Sequence, residues 1–119
     1  MQSIPKQSRA SVVHGDYCID NTVLDSEDAT RVRAVLDGVL SAVGDLASDA
    51  ARMCVDRDPM FDVIVDINAA WTCALLPSGD ERAHRYSVAS DQPLAHWDFY
   101  LSLAYIKAAK QEMRRRDLR

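Results

Sequence analysis

Asp16, Asn21 and Asp37 have oxygen-bearing side chains whose types and spacing suit phosphoryl transfer. The apolar pair Val12-Val13 leads through His14-Gly15 to Asp16, Asn21 comes five residues later, and Asp37 ends a second apolar run. A carboxylate can accept the proton of a hydroxyl group, and carboxylate and amide oxygens are ligands that Mg²⁺ prefers. Because phosphoryl transfer depends mainly on positioning and charge neutralisation, these residues predict a site for that reaction.

The segments around these residues must bring Asn21 and Asp37 together. Residues 22–24 and 31–36 are short, β-branched-rich runs, and the acidic cluster 25–28 between them favours a turn. We therefore expect a β-hairpin, in which antiparallel pairing makes Asn21, at the start of one strand, a neighbour of Asp37, at the end of its partner. Since Mg²⁺ keeps several waters, two protein oxygens suffice for a metal site.

Three sets of residues form a recognisable pattern: His14-Gly15-Asp16-Tyr17 with Asn21, Ala34-Val35-Leu36-Asp37, and Gly44-Asp45 with Asp49. This pattern resembles the aminoglycoside phosphotransferase (choline kinase-like) family, and the spacing from Asp16 to Asn21 matches a kinase catalytic loop. Within that family it is similar to the kinase-like domains that in some proteins are fused to acyl-CoA dehydrogenases. Residues 85–107 also resemble the C-terminal helices of that group.

The resemblance implies transfer of phosphate from ATP, with Mg²⁺, to the hydroxyl group of a small molecule. It implies that Asp16 is the catalytic base and that Asn21 and Asp37 bind the metal and, through it, the nucleotide. His14 and Gly15 would brace the loop. The remaining support residues are Asp45 and Asp49, expected as caps of a helix from Gly44 to about Asp56.

Two positions depart from the family pattern. Gly38-Val39 stands where the family has an aromatic residue and an acid, and Leu46 stands where it has Pro. Gly38-Val39 directly follows Asp37, the second metal-binding residue, and Leu46 directly follows Asp45 at the expected helix start. The pattern therefore leaves the positioning of the substrate beside the metal open.

The predicted fold class is α+β, as the C-terminal lobe of a protein-kinase-like domain, mostly helical, with a catalytic loop and a short hairpin. We expect residues 1–11 to be a flexible lead-in and residues 12–119 to form the lobe. The nucleotide-clamping N-terminal lobe has no counterpart in these 119 residues. The sequence therefore predicts a truncated member of the family that is inactive by itself.

The apolar pattern predicts three further helices. One begins at Asp58-Pro59 and has a core stripe from Met60 to Leu75, a second covers 81–89, and the longest covers about 95–115. The apolar arc of the longest helix is wide enough to meet more than one neighbour, which suggests self-association. Its inner face consists of Trp97, Tyr100, Leu101, Ala104 and Ala108, and Phe99, Leu103 and Ile106 widen it.

Composition excludes several classes of protein. The net charge of −4 and the pI near 5.2 argue against binding to nucleic acid or a membrane surface, because both need a basic footprint. Three cysteines without Cys-x-x-Cys spacing, and an N-terminal segment without signal-peptide character, indicate a reduced, cytoplasmic protein. The bland interpretations are preferred for the remaining candidates: Cys18, Cys54 and Cys73 as unreactive thiols, His84 and His96 as surface or helix-end residues, and Arg114-Arg115-Arg116 as a solvated helix end.

Two alternatives to an active phosphotransferase stay open. The chain can be a catalytically inactive remnant that keeps the scaffold, or a helical interaction module whose loop acids are incidental. Nucleotide binding that depends on Mg²⁺ separates the first hypothesis from these two. A defined oligomer without nucleotide affinity favours the interaction module.

Overall fold

A computed structural model describes residues 4–6, 9–56, 58 and 75–118 of the chain. The described part is an α+β structure with two small antiparallel sheets and three α-helices, as the fold-class prediction stated at that level. None of the helices in these ranges has the length and apolar character needed to cross a bilayer. The predicted helix between Asp58-Pro59 and Leu75, with Cys73, lies mostly outside the described residues.

The first sheet joins β1 (Ala10–Val13) to β4 (Ala42–Asp45), so that Val13 pairs with Ala42 and Ala10 with Asp45. The second is the predicted hairpin of β2 (Thr22–Leu24) and β3 (Val32–Val35), in which Thr22 pairs with Val35. The hairpin prediction is confirmed. Two residues that we assigned to the lead-in, Ala10 and Ser11, belong to β1.

The helix predicted from Gly44 begins later than expected. Gly44 and Asp45 end β4, and α1 covers Ala47–Val55. The reason is tertiary: pairing with β1 keeps both residues extended, and a side chain at Gly44 would meet the Val13 methyl carbon Cγ2 at 3.0 Å. The capping pattern alone predicted an earlier helix start because it carries no information about pairing with β1.

Helices α2 (Gly79–Ser90) and α3 (Trp97–Asp117) lie close to their predicted ranges. Helix α2 begins with a reciprocal capping box, in which Ser78 and Glu81 each bind the other's backbone N–H. Helix α3 begins at Trp97 because His96 has a left-handed backbone (φ 55°), which cannot continue a helix toward its N-terminus.

The core forms where α1 packs against α3. Its helix–helix contact uses small residues, which let the two backbones approach closely, and Tyr100 lies at one end of it. The inward-facing residues predicted for the last helix are confirmed: Tyr100, Ala104 and Ala108 are buried, and Trp97 and Leu101 pack against them. Larger side chains at the alanines would overpack this contact by about 1 to 3 kcal/mol. The buried members are Ala47, Ala51, Val55, Tyr100, Ala104 and Ala108.

Candidate active site

His14 links the loop after β1 to the end of β3. Its ring Nδ1 accepts a hydrogen bond from the backbone N–H of Asp16 (3.3 Å), and its Nε2 lies 2.7 Å from the carbonyl oxygen of Leu36. Because Nδ1 acts as an acceptor, Nε2 must hold the proton and donate it to that carbonyl. The ring therefore fixes the loop of Asp16 against the residue that precedes Asp37.

Gly15 needs the backbone freedom of glycine. Its φ of +83° lies in the region that L residues rarely adopt, and an added Cβ would stand 2.6 Å from the carbonyl oxygen of Leu40. The chain can thus turn sharply between β1 and Asp16 while the 3-10 turn Gly38–Leu40 packs over it.

Asp49 lies in the first turn of α1, as expected, but its carboxylate binds the loop. One oxygen accepts from the backbone N–H of His14 (2.7 Å) and the other from that of Gly15 (2.9 Å). These are charge-assisted bonds, which are roughly twice as strong as neutral ones. Asp49 therefore ties the loop of Asp16 to helix α1.

Asp45 is a buried carboxylate that joins β4, α1 and α3. Its side chain accepts a hydrogen bond from the backbone N–H of Ala47 (3.0 Å), the first residue of α1. Asp45 therefore caps the helix from the position before the N-cap residue. The hydroxyl group of Tyr100 also donates to it. Burial, with a smaller effect of this bond, raises the pKa of Tyr100.

Asn21 is bound directly to the backbone of Asp16. Its side-chain Nδ2 donates to the Asp16 carbonyl (2.8 Å), so the amide group is oriented with its oxygen available as the ligand atom. The backbone carbonyl of Asn21 accepts from the N–H of Leu36 (2.8 Å). The start of β2 and the end of β3 are therefore adjacent, and Asn21 and Asp37 flank this junction.

Asp37 has a strained backbone. It is an exposed residue with φ 58° and ψ 57°, a left-handed conformation that costs a residue with a side chain about 1 to 2 kcal/mol. Strain of this kind persists where the surroundings over-determine it, and it concentrates at functional sites. Here the hydrogen bonds of Leu36 on one side and the turn Gly38–Leu40 on the other hold it.

Arg52 is a member of the site that the sequence did not indicate. Its Nη2 lies 3.7 Å from Oδ1 of Asp16, and its Nε lies 3.3 Å from Oδ1 of Asp56. Burial raises the pKa of Asp56 to about 6, and the guanidinium of Arg52 only partly offsets this effect. The spacing of four residues to Asp56 was the one available signal, but contact with Asp16 depends on the packing of α1.

A metal ion would find oxygen ligands of the required type at Asn21 and Asp37. The part of the chain that the structure describes contains no group of three or more His, Cys, Asp or Glu side chains arranged to hold a metal. The donor set at the hairpin is one amide oxygen and one carboxylate, which fits Mg²⁺ bound largely through waters and phosphate oxygens. These two residues would hold the ion, and the ion would neutralise the charge of the phosphates.

The unreactive interpretations of the described cysteines and histidines agree with their surroundings. Burial is the largest effect on Cys18 and raises the pKa of its thiol, so it lacks the thiolate character of a nucleophile. Cys54 is buried, its Sγ donates to the carbonyl of Gly79 (3.1 Å), and burial raises its pKa to about 11. His84 is exposed and His96 stands at the start of α3.

The loop and hairpin define the class of protein: the profile of the phosphotransferase enzyme family matches residues 1–86, and the chain belongs to that family. The resemblance stated from the motifs is confirmed. Among curated relatives, the mouse "Acyl-CoA dehydrogenase family member 10" is 30% identical over 110 residues, covering 89% of this chain and 10% of the relative. The human "Acyl-CoA dehydrogenase family member 11" is 29% identical over 113 residues, covering 92% and 14%.

A plant relative, the Arabidopsis thaliana "Probable acyl-CoA dehydrogenase IBR3", is 33% identical over 110 residues, covering 84% of this chain and 13% of the relative. The chain thus spans between 10% and 14% of the length of these three relatives. No solved structure gives a significant match to the sequence.

Proposed function

We propose that this chain is the C-terminal lobe of a phosphotransferase that moves a phosphoryl group from ATP to a small-molecule hydroxyl. The observation that supports this most strongly is the hydrogen bond from the Asn21 side chain to the backbone of Asp16 (2.8 Å). The hairpin adds to it, because Asn21 and Asp37 flank the same end of its paired strands. In this proposal, one base and two oxygen ligands from three separate segments share one site. Family membership supports the same reaction class.

Each residue has a separate task in this proposal. Asp16 accepts the proton of the acceptor hydroxyl, and its side chain is 37% exposed, so an acceptor can reach it. Asn21 and Asp37 would hold Mg²⁺, which supplies charge neutralisation for the phosphates when bound. His14, Gly15 and Asp49 position the loop, since their hydrogen bonds determine where Asp16 lies.

Arg52 is a positioning residue that acts through Asp16. At 3.7 Å from Oδ1, its guanidinium attracts the Asp16 carboxylate and limits the directions in which that side chain can turn. Asp56 holds Arg52 from the other side (3.3 Å). The pair therefore keeps the base oriented without occupying both of its oxygens.

The chain alone is expected to bind nucleotide and to show no measurable turnover. Its four glycines include no G-x-G-x-x-G segment, and Lys6 is the only Lys before His14. Positioning of the reacting groups can contribute about 7 to 11 kcal/mol to barrier reduction. Asp16 as a general base accelerates the reaction by about 10²- to 10⁴-fold, which is too little to replace the lost positioning.

The test is nucleotide binding by the full chain, measured calorimetrically with and without Mg²⁺, beside a coupled ATP-consumption assay. We expect ATP to bind only with Mg²⁺, the Asp37→Asn variant to lose that binding, and the matched control Asp20→Asn, an exposed acid of the same loop, to retain it. No Mg²⁺-dependent binding, with a defined oligomer, would instead identify a helical interaction module. Turnover at about 1 to 100 per second, abolished in Asp16→Asn, would contradict only the expected inactivity.

A further inference from the structure

A groove of about 280 Å³ lies between α1, α3 and the loop that follows β1. It is distinct from the hairpin junction at which Asn21 and Asp37 meet, because neither of those residues lines it. Its walls combine loop backbone with basic side chains of two helices. The lining residues that matter here are Gly15, Leu40, Arg52, Lys107, Lys110 and Arg114.

The charge of this groove is opposite to that of the whole chain. Four cationic side chains line it against one carboxylate, Asp49, whereas the chain has a net charge of −4. The charge of Arg52 is offset by the carboxylates of Asp16 and Asp56. The excess of positive charge therefore comes from the three cations of α3, Lys107, Lys110 and Arg114, against the one carboxylate of Asp49. A larger cavity of about 390 Å³ contains Asp58 and Asp80 in its lining and no cation. Positive potential is thus concentrated beside the Asp16 loop.

The three cations of α3 follow one face of the helix. Lys107, Lys110 and Arg114 are separated by three and four residues, so their side chains emerge on the same side over about 10 Å of helix. Within the described ranges, no ion pair joins any of the three to a carboxylate. By contrast, Arg115 and Arg116 pair with Glu112.

Arg52 connects the groove to the base. It lines the groove and also lies 3.7 Å from Oδ1 of Asp16, and Gly15, the residue before Asp16, lines the groove as well. A molecule in the groove can therefore have one end at the Asp16 carboxylate and another among the cations of α3.

We propose that this groove binds the acceptor alcohol through a carboxylate or phosphate group that the acceptor has in addition to its hydroxyl. This inference rests on the phosphotransferase function proposed above. The hydroxyl group lies toward Asp16, and the anionic group lies against Lys107, Lys110 and Arg114. Cationic acceptors such as aminoglycosides or choline are repelled by the same side chains.

The test uses matched pairs of probes that differ by one anionic group: glycerol 3-phosphate against glycerol, and 3-hydroxybutyrate against 1,3-butanediol. Binding to the full chain is measured by NMR titration at low and high NaCl. The variants are Lys107→Gln and Lys110→Gln, and the control is Lys6→Gln, which removes the one other Lys charge of the chain outside the groove. Circular dichroism confirms that each variant folds.

We expect the anionic member of at least one pair to bind about tenfold more tightly than its neutral partner, and high salt to reduce the difference. Each groove variant should weaken anion binding by up to about fivefold, the upper range for one exposed ion pair, and Lys6→Gln should not. The pair that responds distinguishes a phosphate from a carboxylate group.

Equal affinity for charged and neutral probes, or equal effects of Lys6→Gln and the groove variants, would overturn the inference. So would competition by Mg²⁺·ATP for the glycerol 3-phosphate site with loss of ATP affinity in the groove variants, because the cations would then bind the nucleotide. Anion preference without any Mg²⁺-dependent ATP binding would leave the anion site standing and overturn the phosphotransferase function on which its role as an acceptor site rests.

Discussion

Replacing Asp49 by Ala tests whether helix α1 holds the loop of Asp16 in place. The substitution removes an acceptor that receives the N–H groups of both His14 (2.7 Å) and Gly15 (2.9 Å). A hydrogen bond to a charged group contributes about 1.5 to 3 kcal/mol net. Both donors are part-buried and regain some water, so we expect a loss near the lower limit for two bonds, about 3 kcal/mol.

Such a loss is large for this chain. At about 0.05 to 0.15 kcal/mol per residue, a domain of this size has a free energy of unfolding of roughly 6 to 18 kcal/mol. The Asp49→Asn variant keeps one carbonyl oxygen as an acceptor, so about half of the loss is expected. Asp98→Ala is the control: Asp98 also lies in the first turn of a helix, α3, but is exposed, so its removal costs about 0.3 to 1 kcal/mol through the dipole.

Urea unfolding followed by circular dichroism measures the three free energies, and amide hydrogen exchange measures protection of His14 and Gly15. We expect the order Asp49→Ala, Asp49→Asn, Asp98→Ala from most to least destabilised, with protection lost only at the loop. If Asp49→Ala and Asp98→Ala differ by less than about 0.5 kcal/mol, the loop is held by other contacts and the reasoning is refuted.

Three further predictions concern the loop, the buried acid and the outer face of α3. Gly15→Ala should destabilise the chain by at least about 2 kcal/mol in urea unfolding, because φ is +83° and the added Cβ would meet Leu40. The control Gly38→Ala should cost less, because its Cβ would meet only the Ser41 hydroxyl oxygen at 3.1 Å. Since burial raises the pKa of Asp56 to about 6, the folded chain binds more protons than the unfolded one between pH 4 and 6, so stability falls as pH rises through that window. Asp56→Asn should remove this loss, about 2 to 3 kcal/mol, and a pH-independent difference between it and the parent chain would contradict the prediction. Ile106, which is 65% exposed, should support self-association, so Ile106→Lys should increase the monomer fraction in sedimentation. A parent chain that is already monomeric at high concentration would contradict this prediction.

Local signals were sufficient for the parts of the site that depend on neighbouring residues. The hairpin of β2 and β3 followed from two β-branched runs around an acidic turn, and Asp25 indeed accepts from the N–H groups of Glu27 and Asp28 in that turn. The spacing from Asp16 to Asn21 also corresponds to a direct contact, between the Asn21 amide and the Asp16 carbonyl.

Contacts between distant segments could not be read in the same way. Asp49 has the sequence context of a helix-dipole residue, and only the tertiary fold shows that its carboxylate binds a loop 35 residues earlier. Arg52 has the appearance of a solvated helical cation, yet only 13% of its side chain is exposed. The start of α1 was misjudged for a related reason, since strand pairing with β1 keeps Gly44 extended.

In the proposed function, Asn21 and Asp37 form a magnesium site that depends on nucleotide. The most direct measurement is a Mg²⁺ titration followed by NMR of the Asn21 side-chain amide and the Asp37 backbone, with and without a non-hydrolysable ATP analogue. Two protein oxygens leave most of the coordination to waters and phosphates. We predict shifts at both residues only when the nucleotide is present, lost in Asp37→Asn and retained in Asp28→Asn, an acid of the exposed hairpin turn. Micromolar Mg²⁺ binding without nucleotide, or an unchanged response in Asp37→Asn, would contradict the claim.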